Sequence, residues 1–364
     1  MGDRPIFPAT RMGSREEPTR AAKGEISLGA AHLRPSIHPT YARLLAAELK
    51  RRGFGETALT EGTRVPRALL LEEERFLSFE HFRRLAVRGT ELTGERWLGL
   101  DVGRSTQISS HGSVGYAMVA SADVGQALSV IERYSALRLQ VAGFSVHHRN
   151  DRVQLCIEDV LGWGDLEEYI SLHIIGTLSL ILETVSGTQL TGTHVAFTYS
   201  APDWVSEYAT RLRAVTLEFD APSCMIDMPE SFAASQCITA DASAFRQAMR
   251  LCERAEAQHR RDGDGAQKVL DHLLDRVGEY PSLREMAKTL HMSERTLNRK
   301  LKAQGTSYQM LLDDVRQELA VWYLRQTDMS VEMIAERLGY RDTSNFSRTC
   351  KRWFGVTPRA IRGG

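Results

Sequence analysis

The chain has 364 residues, of which 42% are hydrophobic and 25% charged, and its 46 Lys and Arg balance its 46 Asp and Glu. This length and composition predict a soluble globular protein of two or three domains with packed cores. The five cysteines are scattered and odd in number and form no Cys-x-x-Cys pair. They predict reduced, mostly buried thiols in a cytoplasmic protein and argue against a disulfide framework.

The beginning of the chain is poor in apolar residues. Positions 1–30 are rich in Arg, Ser, Pro and Gly and contain no apolar run. We predict a disordered leader over residues 1–35 that is not a signal peptide, so secretion is not expected.

The next part, residues 36–260, shows helical spacing first and strand-like alternation later. This order predicts an α+β domain in which hairpin-like strand pairs follow the first helices. The predicted helices lie at about 39–52, 77–94, 95–103, 165–186, 203–212 and 241–260. The predicted strands lie at about 144–150, 152–160, 194–200, 214–219 and 224–229.

One stretch, residues 169–185, is apolar enough to raise the question of a membrane span. It is shorter than the roughly 20 residues that a spanning helix needs, and it contains His173 and Gly176. We therefore predict a buried helix and no membrane association.

The C-terminal part is mildly basic. Residues 268–364 contain 17 Lys and Arg against 12 Asp and Glu, a net charge of +5, which leaves −5 on the rest of the neutral chain. Residues 261–267 are predicted to be a linker between a 36–260 domain and a basic 268–364 domain. The positive charge favours nucleic acid as the partner of the second domain.

The pattern of this second domain is wholly helical. Ser282 and Glu285 form a capping-box signature before a short helix, and Ser293 begins another short helix that Gly305 ends. A longer helix, roughly 308–327, follows.

The same order of signals then returns. Ser330 precedes a short helix, Gly339 lies in a turn, Asp342 or Thr343 caps a further helix, and Gly355 ends it. The first helices of the two copies align with Ala287 opposite Ala335, and the second helices align with Leu297 opposite Phe346. The second offset is longer by a single position, so we predict one extra residue in the second turn.

A short helix, a tight turn and a second short helix with exposed arginine are typical of a helix-turn-helix unit, whose second helix enters the major groove. Two such units on a linking helix of about 30 Å could contact adjacent major-groove segments, about 34 Å apart on one face of B-DNA. A bundle with solvated arginines is the ordinary alternative, and the duplication argues against it.

The 3.6-residue period separates two roles on each second helix. Leu297, Leu301, Phe346 and Cys350 are predicted to face inward. The predicted base-contacting residues are Arg295, Thr296, Asn298, Arg299, Thr343, Ser344, Asn345, Ser347 and Arg348. The predicted phosphate-contacting residues are Ser293, Lys300, Lys302, Lys351 and Arg352.

Residues 282–362 resemble the DNA-binding domain of the AraC/XylS family of bacterial transcription regulators. The resemblance rests on the spacing of an Ile-Ala pair, a Leu-Gly-Tyr turn, a Ser-Arg pair and a Lys-Arg-Trp-x-Gly-x-x-Pro ending. Cys350 stands where the family usually has Phe. The matching residues are Ile334, Ala335, Leu338, Gly339, Tyr340, Phe346, Ser347, Arg348, Lys351, Trp353, Gly355 and Pro358.

The N-terminal domain resembles the effector domain of the family branch that includes regulators of ornithine use and a mycobacterial virulence regulator. Residues 111–138 and the strand pair after them carry this resemblance. It implies an activator in the bacterial cytoplasm, associated with the nucleoid. The implied partners are a small organic effector, promoter DNA, RNA polymerase and a second copy of the chain. No cofactor or metal is expected, and the effector contacts stay unknown.

Enzymatic alternatives find little support in the sequence. It contains no zinc-protease, nucleophile-elbow or phosphate-loop motif. A fusion with a DNA-repair methyltransferase would need an early cysteine cluster, whereas the first cysteine is Cys156. A constitutive architectural DNA-binding protein is the other alternative, and it would leave the N-terminal domain unexplained.

Overall fold

A computed structural model describes residues 32–33, 35–63, 65, 70, 76–262 and 265–363. The chain divides into two compact units. The first is Ser36–Gly263, and the second combines Asp264–Gly364 with Met1–Pro35. Most of the predicted leader lies outside the described residues. Leu33 departs from that prediction, because it is only 6% exposed and belongs to the apolar core of the second unit.

The first unit contains every helix and strand predicted for it, and also two short early strands and several helices that were not predicted. Its described helices are α1 (Thr40–Arg51), α2 (Glu56–Thr60), α3 (Phe79–Thr93), α4 (Leu98–Arg104), α5 (Gly112–Val119), α6 (Val124–Tyr134), α7 (Glu167–Ser186), α8 (Val205–Arg211), α9 (Glu230–Ala233) and α10 (Ala242–Asp262). Its described strands are β1 (Pro35–Ile37), β2 (Leu77–Ser78), β3 (Ala142–Arg149), β4 (Arg152–Asp159), β5 (Thr193–Ala196), β6 (Val215–Glu218) and β7 (Cys224–Pro229). This architecture confirms the predicted α+β class.

Strands β3 to β7 form one sheet in the order β3-β4-β7-β5-β6, and β1 pairs with β2 separately. Neighbours are antiparallel except β5 and β6, which are parallel. Alternate residues of β4 are buried, which is the period expected of a strand with one face on a core. They lie opposite the buried residues of β7 in the pairs Val153 with Met228, Leu155 with Ile226, and Ile157 with Cys224.

Helix α7 is the central element of this unit. Fifteen of its residues are buried, and it ends at Gly187 in the left-handed conformation (φ 69°). The segment Gly164–Ser186 is long and apolar enough to span a membrane, but 83% of its most apolar window is buried inside the domain. The helix begins two residues later than the predicted 165–186 and ends where predicted, and its burial confirms the prediction of a core helix.

Two predictions for the first unit need correction. Alternation along the predicted strand 144–150 places one of His147 and His148 inward and the other in solvent, yet both are exposed, because they lie near the end of the edge strand β3. The His148 ring lies 3.2 Å from a carboxylate oxygen of Glu230. Helix α10 also extends through Asp262, so residues 261–262 of the predicted linker are helical.

The second unit is wholly helical. Its core is formed by apolar residues that recur on one face of each helix, which include Leu297, Leu301, Phe346 and Cys350 as predicted. Its first helix begins at Gly265, so the predicted linker is helical on both sides of residues 263–264. The helices are α11 (Gly265–Asp275), α12 (Leu283–Thr289), α13 (Glu294–Ala303), α14 (Tyr308–Gln326), α15 (Val331–Arg337), α16 (Thr343–Phe354) and α17 (Pro358–Gly363).

Candidate nucleic-acid interface and ligand pocket

The turn between α12 and α13 is built in the same way as the turn between α15 and α16. In the first turn, the amide of His291 donates to the Lys288 carbonyl at 3.0 Å, and the next amide donates to Ala287 at 2.8 Å. In the second turn, the amide of Gly339 donates to Glu336 at 2.9 Å, and the next amide donates to Ala335 at 2.9 Å. Ala287 and Ala335 are thus equivalent acceptors in the two copies, as the sequence alignment predicted.

The second helices begin one residue later in the second copy. The Ser293 hydroxyl accepts from the amide of Thr296 at 3.1 Å, and the Asp342 carboxylate accepts from the amide of Asn345 at 2.6 Å. The two caps are therefore one position further apart than the two turns, and the extra residue of the second turn is Arg341. The capping box of Ser282 with Glu285 is also present.

The predicted DNA-contacting side chains lie away from the core on α13 and α16 or at their ends. In the first copy, Arg295, Asn298, Arg299, Ser293 and Lys302 are exposed, and Thr296 and Lys300 are half-buried. In the second copy, Ser344, Asn345, Arg348, Lys351 and Arg352 are exposed, and Thr343 and Ser347 are half-buried. Exposed Arg and Asn at the start of a recognition helix can donate to or bridge base edges in the major groove.

Arg299 and Arg348 occupy equivalent positions of the two copies, and neither forms an ion pair with a described residue. Unlike these two arginines, the Ser293 hydroxyl already has partners within the protein, because it caps α13 and lies 2.9 Å from the Thr296 hydroxyl. Its predicted phosphate contact would have to share that hydroxyl with the cap.

Three other basic side chains of this unit hold it together. Arg316 on α14 donates from Nε to the Leu338 carbonyl at 3.2 Å and lies over the rings of Tyr280 and Tyr340, 4.8 and 5.1 Å from their centroids. Arg337 donates to the Tyr323 hydroxyl at 3.0 Å.

Arg362 donates to the carbonyl of Leu324 at 3.2 Å. The sequence did not distinguish Arg316, Arg337 and Arg362 from the exposed arginines of α13 and α16, because a net charge includes arginines with and without partners in the protein.

Residues 53–236 match a family described as the arabinose-binding domain of AraC transcription regulator, N-term, and residues 286–364 match one described as a helix-turn-helix domain. The ornithine utilization regulator of Pseudomonas aeruginosa is 30% identical to this chain over 322 residues, which cover 88% of this chain and 95% of that protein. The chain belongs to the AraC family of transcription regulators.

Other relatives of this regulator also have names of transcription regulators. VqsM of Pseudomonas aeruginosa is 25% identical over 272 residues, which cover 72% of this chain and 83% of that protein. VirS of Mycobacterium tuberculosis is 41% identical over 81 residues, which cover 22% of this chain and 24% of that protein. The regulator therefore combines a ligand-binding N-terminal domain with a DNA-binding helix-turn-helix domain, and these relatives are consistent with a protein that is not an enzyme.

The ligand-binding domain contains a partly open cavity of about 60 Å³ beside α7. Most of its wall is apolar, and residues from α1, α5, α6, α7 and β3 contribute to it. The apolar residues are Val114, Met118, Ile131, Leu139, Phe144, Ile174, Leu178 and Ile181, and the polar ones are Tyr41, His111, Ser135, Arg138, His173 and Thr177. We call it the α7 pocket. Sequence reasoning assigned no effector contacts, because these residues come from several separate segments.

The buried polar atoms of the α7 pocket are largely unsatisfied. Within the described residues, neither ring nitrogen of His173, nor Nε2 of His111, nor the Thr177 hydroxyl has a hydrogen-bond partner. The Tyr41 hydroxyl lies 3.3 Å from Nδ1 of His111. Burial lowers the pKa of His111 to about 4 and that of His173 to about 3, so both rings are neutral at pH 7.

Arg138 contributes the positive charge of the pocket. Its Nε donates to the His111 carbonyl at 3.1 Å, Nη2 donates to the Ser110 carbonyl at 3.0 Å, and Nη1 contacts Nε2 of His38. Burial, with Arg138 next, lowers the pKa of His38 to about 3, so this imidazole is neutral and can accept the bond. The guanidinium packs over Gly112, where a Cβ would lie 2.6 Å from Nη2.

A larger cleft of about 670 Å³ opens to solvent near the end of α7. Three of its four charged side chains already have partners: Arg104 pairs with Glu183 at 2.7 Å, and Arg211 pairs with Glu207 at 2.6 Å, whereas Arg213 is exposed. We favour the smaller α7 pocket as the ligand site, because a ligand there would satisfy polar atoms that are otherwise buried without partners.

Proposed function

We propose that the regulator is an effector-responsive activator that binds promoter DNA through α13 and α16 in adjacent major-groove segments. The observation that carries this proposal is the repeated turn, with matching backbone hydrogen bonds and caps in the two copies. The repeat brings Arg299 and Arg348 to equivalent exposed positions. Two equivalent base-contacting surfaces on one chain favour a DNA site with two recognition segments.

The linking helix supports this arrangement. Helix α14 has 19 residues, which at 1.5 Å per residue gives a length of roughly 28 Å. This is comparable with the roughly 34 Å between successive major-groove segments on one face of B-DNA. Arg316 connects this helix to the second turn and so limits bending between the copies.

The response to an effector would arise in the α7 pocket. A ligand that binds one conformation of the N-terminal domain better than another shifts the population toward it, and this shift would change dimer geometry or DNA engagement. The proposed partners are the effector, promoter DNA, a second copy of the chain and RNA polymerase, with no metal or prosthetic group. We propose that the segment around 263–264, between α10 and α11, transmits the change.

DNA selection from a random duplex library with the full-length regulator tests whether α13 and α16 bind adjacent major-groove segments. We expect enriched sites with two conserved blocks separated by about 10 base pairs, protected on one face of the duplex. A single short block, or no enrichment over input, would contradict the two-helix mode of binding.

The coupling segment can be tested by replacing residues 261–264 with a Gly/Ser segment of equal length, which leaves α11 intact from Gly265 onward. DNA affinity should survive this replacement, while the change of transcription caused by an effector should be lost in a purified system with RNA polymerase. An unchanged response would rule out coupling through this segment, and repression instead of stimulation by the unaltered chain would rule out the activator role.

A further inference from the structure

Arg138 in the α7 pocket has unused hydrogen-bonding capacity. A guanidinium has five N–H groups, and contacts with Ser110, His111 and His38 use three of them. The charged or titratable groups that interact with it are Tyr41, Arg43, His38 and His111, so no carboxylate of the described residues neutralises it. A positive charge in this position favours an anion beside it.

The other polar side chains of the pocket also favour a ligand that accepts hydrogen bonds. His111, His173 and Thr177 can each donate a hydrogen bond, and each has a buried polar atom without a partner among the described residues. They are only 6%, 5% and 6% exposed. None of the pocket-lining side chains is an acid, so a ligand amine would find no carboxylate in the wall.

The size of the cavity limits the ligand. One water needs roughly 10 to 15 Å³ of such volume, so a cavity of about 60 Å³ holds about four to six waters. Covalently bonded atoms lie closer together than separate waters, so a ligand of roughly five to seven non-hydrogen atoms fits. Met118 and Phe144 line it beside aliphatic residues of α7, so the part of the ligand away from Arg138 would meet an apolar wall.

We propose that the α7 pocket binds a small monocarboxylic acid with a short apolar tail, of about three to five carbons, whose carboxylate is held by Arg138 with help from His111, His173 and Thr177. This inference rests on the proposed function in one respect, namely that the bound acid is the effector. The binding itself follows from the pocket alone.

A short monocarboxylic acid differs from ornithine and arabinose, the two compounds that occur in the names of the relative and of the matching family. Ornithine carries two ammonium groups that need acceptors, and the lining side chains of the α7 pocket include no carboxylate. Arabinose has ten non-hydrogen atoms and no charge, so it neither fits the cavity volume nor pairs with Arg138. Both compounds are therefore useful negative controls.

The first experiment measures thermal unfolding and calorimetric binding of the full-length regulator at pH 7 with sodium salts of linear acids from acetate to octanoate. Alcohols and amines of matching length, L-ornithine and L-arabinose serve as controls. We expect saturable stabilisation that is greatest for acids of three to five carbons and roughly tenfold tighter than for the matching alcohols. Tighter binding of ornithine, an amine or arabinose, or no acid binding up to about 10 mM, would overturn the proposal.

Arg138→Gln should weaken acid binding roughly 10- to 100-fold, because it removes a charge-assisted contact. Arg213→Gln, in the open cleft near the end of α7, is the matched control and should leave acid binding unchanged. Equal affinities of the unaltered chain and the Arg138→Gln variant would refute the role of Arg138.

Thr177→Val keeps the proposal testable if the Arg138 variant does not fold. Valine has nearly the same shape as threonine and removes a buried hydroxyl that has no partner among the described residues. We expect the ligand-free variant to unfold at the same or a higher temperature, and the acid to bind it several-fold more weakly. A purely structural role of Thr177 would lower the unfolding temperature without changing acid affinity, and that result would count against the proposal.

Measurements of promoter binding separate the two claims. If no carboxylate binds but another compound changes DNA affinity or transcription, the ligand class is wrong and effector response stands. If carboxylates bind in the α7 pocket and no compound alters DNA affinity or transcription, the pocket assignment stands and effector response fails.

Discussion

Gly103 on α4 lies directly against the backbone of His173 on α7. A Cβ on Gly103 would be only 2.4 Å from the His173 carbonyl oxygen, and a Cβ on Gly99 would be 2.4 Å from that of Tyr169. Two helices can approach this closely only where one of them lacks side chains. The contact fixes the part of α7 that carries His173 into the pocket.

Gly103→Ala should therefore destabilise the regulator by roughly 1 to 3 kcal/mol, because the added methyl must displace backbone and not a flexible side chain. Urea unfolding measures this change in the free energy of unfolding. Gly125→Ala on α6 is the control, since its Cβ would meet atoms no nearer than 3.4 Å and alanine favours helix. A Gly103 variant as stable as the Gly125 variant would show that the two helices can move apart at little cost.

The two turns of the DNA-binding domain should respond differently to substitution. Gly339 has φ 74°, and a Cβ there would lie 2.7 Å from the carbonyl oxygen of Gly278, so Gly339→Ala should cost roughly 1 to 3 kcal/mol. His291 has φ 54° and carries a side chain, so His291→Gly should change stability by less than about 1 kcal/mol. Thermal unfolding of both variants checks this, and equal losses would contradict it.

Arg299→Ala and Arg348→Ala should each weaken binding to the selected site by roughly 1 to 3 kcal/mol and relax base preference at one block. Fluorescence anisotropy with selected and scrambled duplexes measures both effects. An equal loss on scrambled DNA would instead indicate a phosphate contact.

Arg316→Ala is the matched control for these arginine variants. It removes a contact with Leu338 and two tyrosine rings, so the unfolding temperature should fall while the base preference stays. If its base preference changed like that of the Arg299 variant, assignment of the two kinds of arginine to different roles would fail.

Stability should fall as the pH is lowered below the ordinary histidine pKa. The pKa values of His111 and His173 are lowered by burial to about 4 and about 3, so between these values and 6.5 the unfolded chain binds more protons than the folded one. From pH 7 to pH 5.5, each ring should remove about 1 kcal/mol of stability. Urea unfolding of the ligand-free regulator measures this loss.

His173→Gln isolates one ring from the other titrating groups. The variant should lose about 1 kcal/mol less than the unaltered chain over the same pH range. If both lost the same amount, His173 would not be held neutral by the fold.

The sequence predicted the DNA-binding domain in unusual detail because its signals are local. Caps such as Ser282, Ser293 and Asp342 lie close in the chain to the amides they bind, and Gly305, Gly339 and Gly355 lie where φ is positive. Because the unit occurs twice, the helix boundaries predicted for one copy could be compared with those predicted for the other. Local hydrogen bonds and a 3.6-residue period can be recognised without knowing what packs against them.

The errors occurred where an outcome depends on neighbours that are distant in the sequence. The exposure of His147 and His148 depends on which strand forms the edge of the sheet, and alternation along β3 does not contain that information. The burial of Leu33 depends on a core formed by the C-terminal helices, at the opposite end of the chain. The net charge of the second domain likewise could not show that Arg316 is held by aromatic rings.

The sequence alone thus determined the fold class, the family and the duplicated DNA-binding unit, because these follow from periodicity, caps and local motifs. Only the tertiary structure showed which residues form the α7 pocket. Tyr41, His111, Arg138 and His173 come from four distant segments that meet at one cavity, and the glycines of α4 that pack on α7 set the position of only one of them, His173. A ligand site of this kind is a property of three-dimensional packing, since none of its residues is recognisable from its neighbours in the chain.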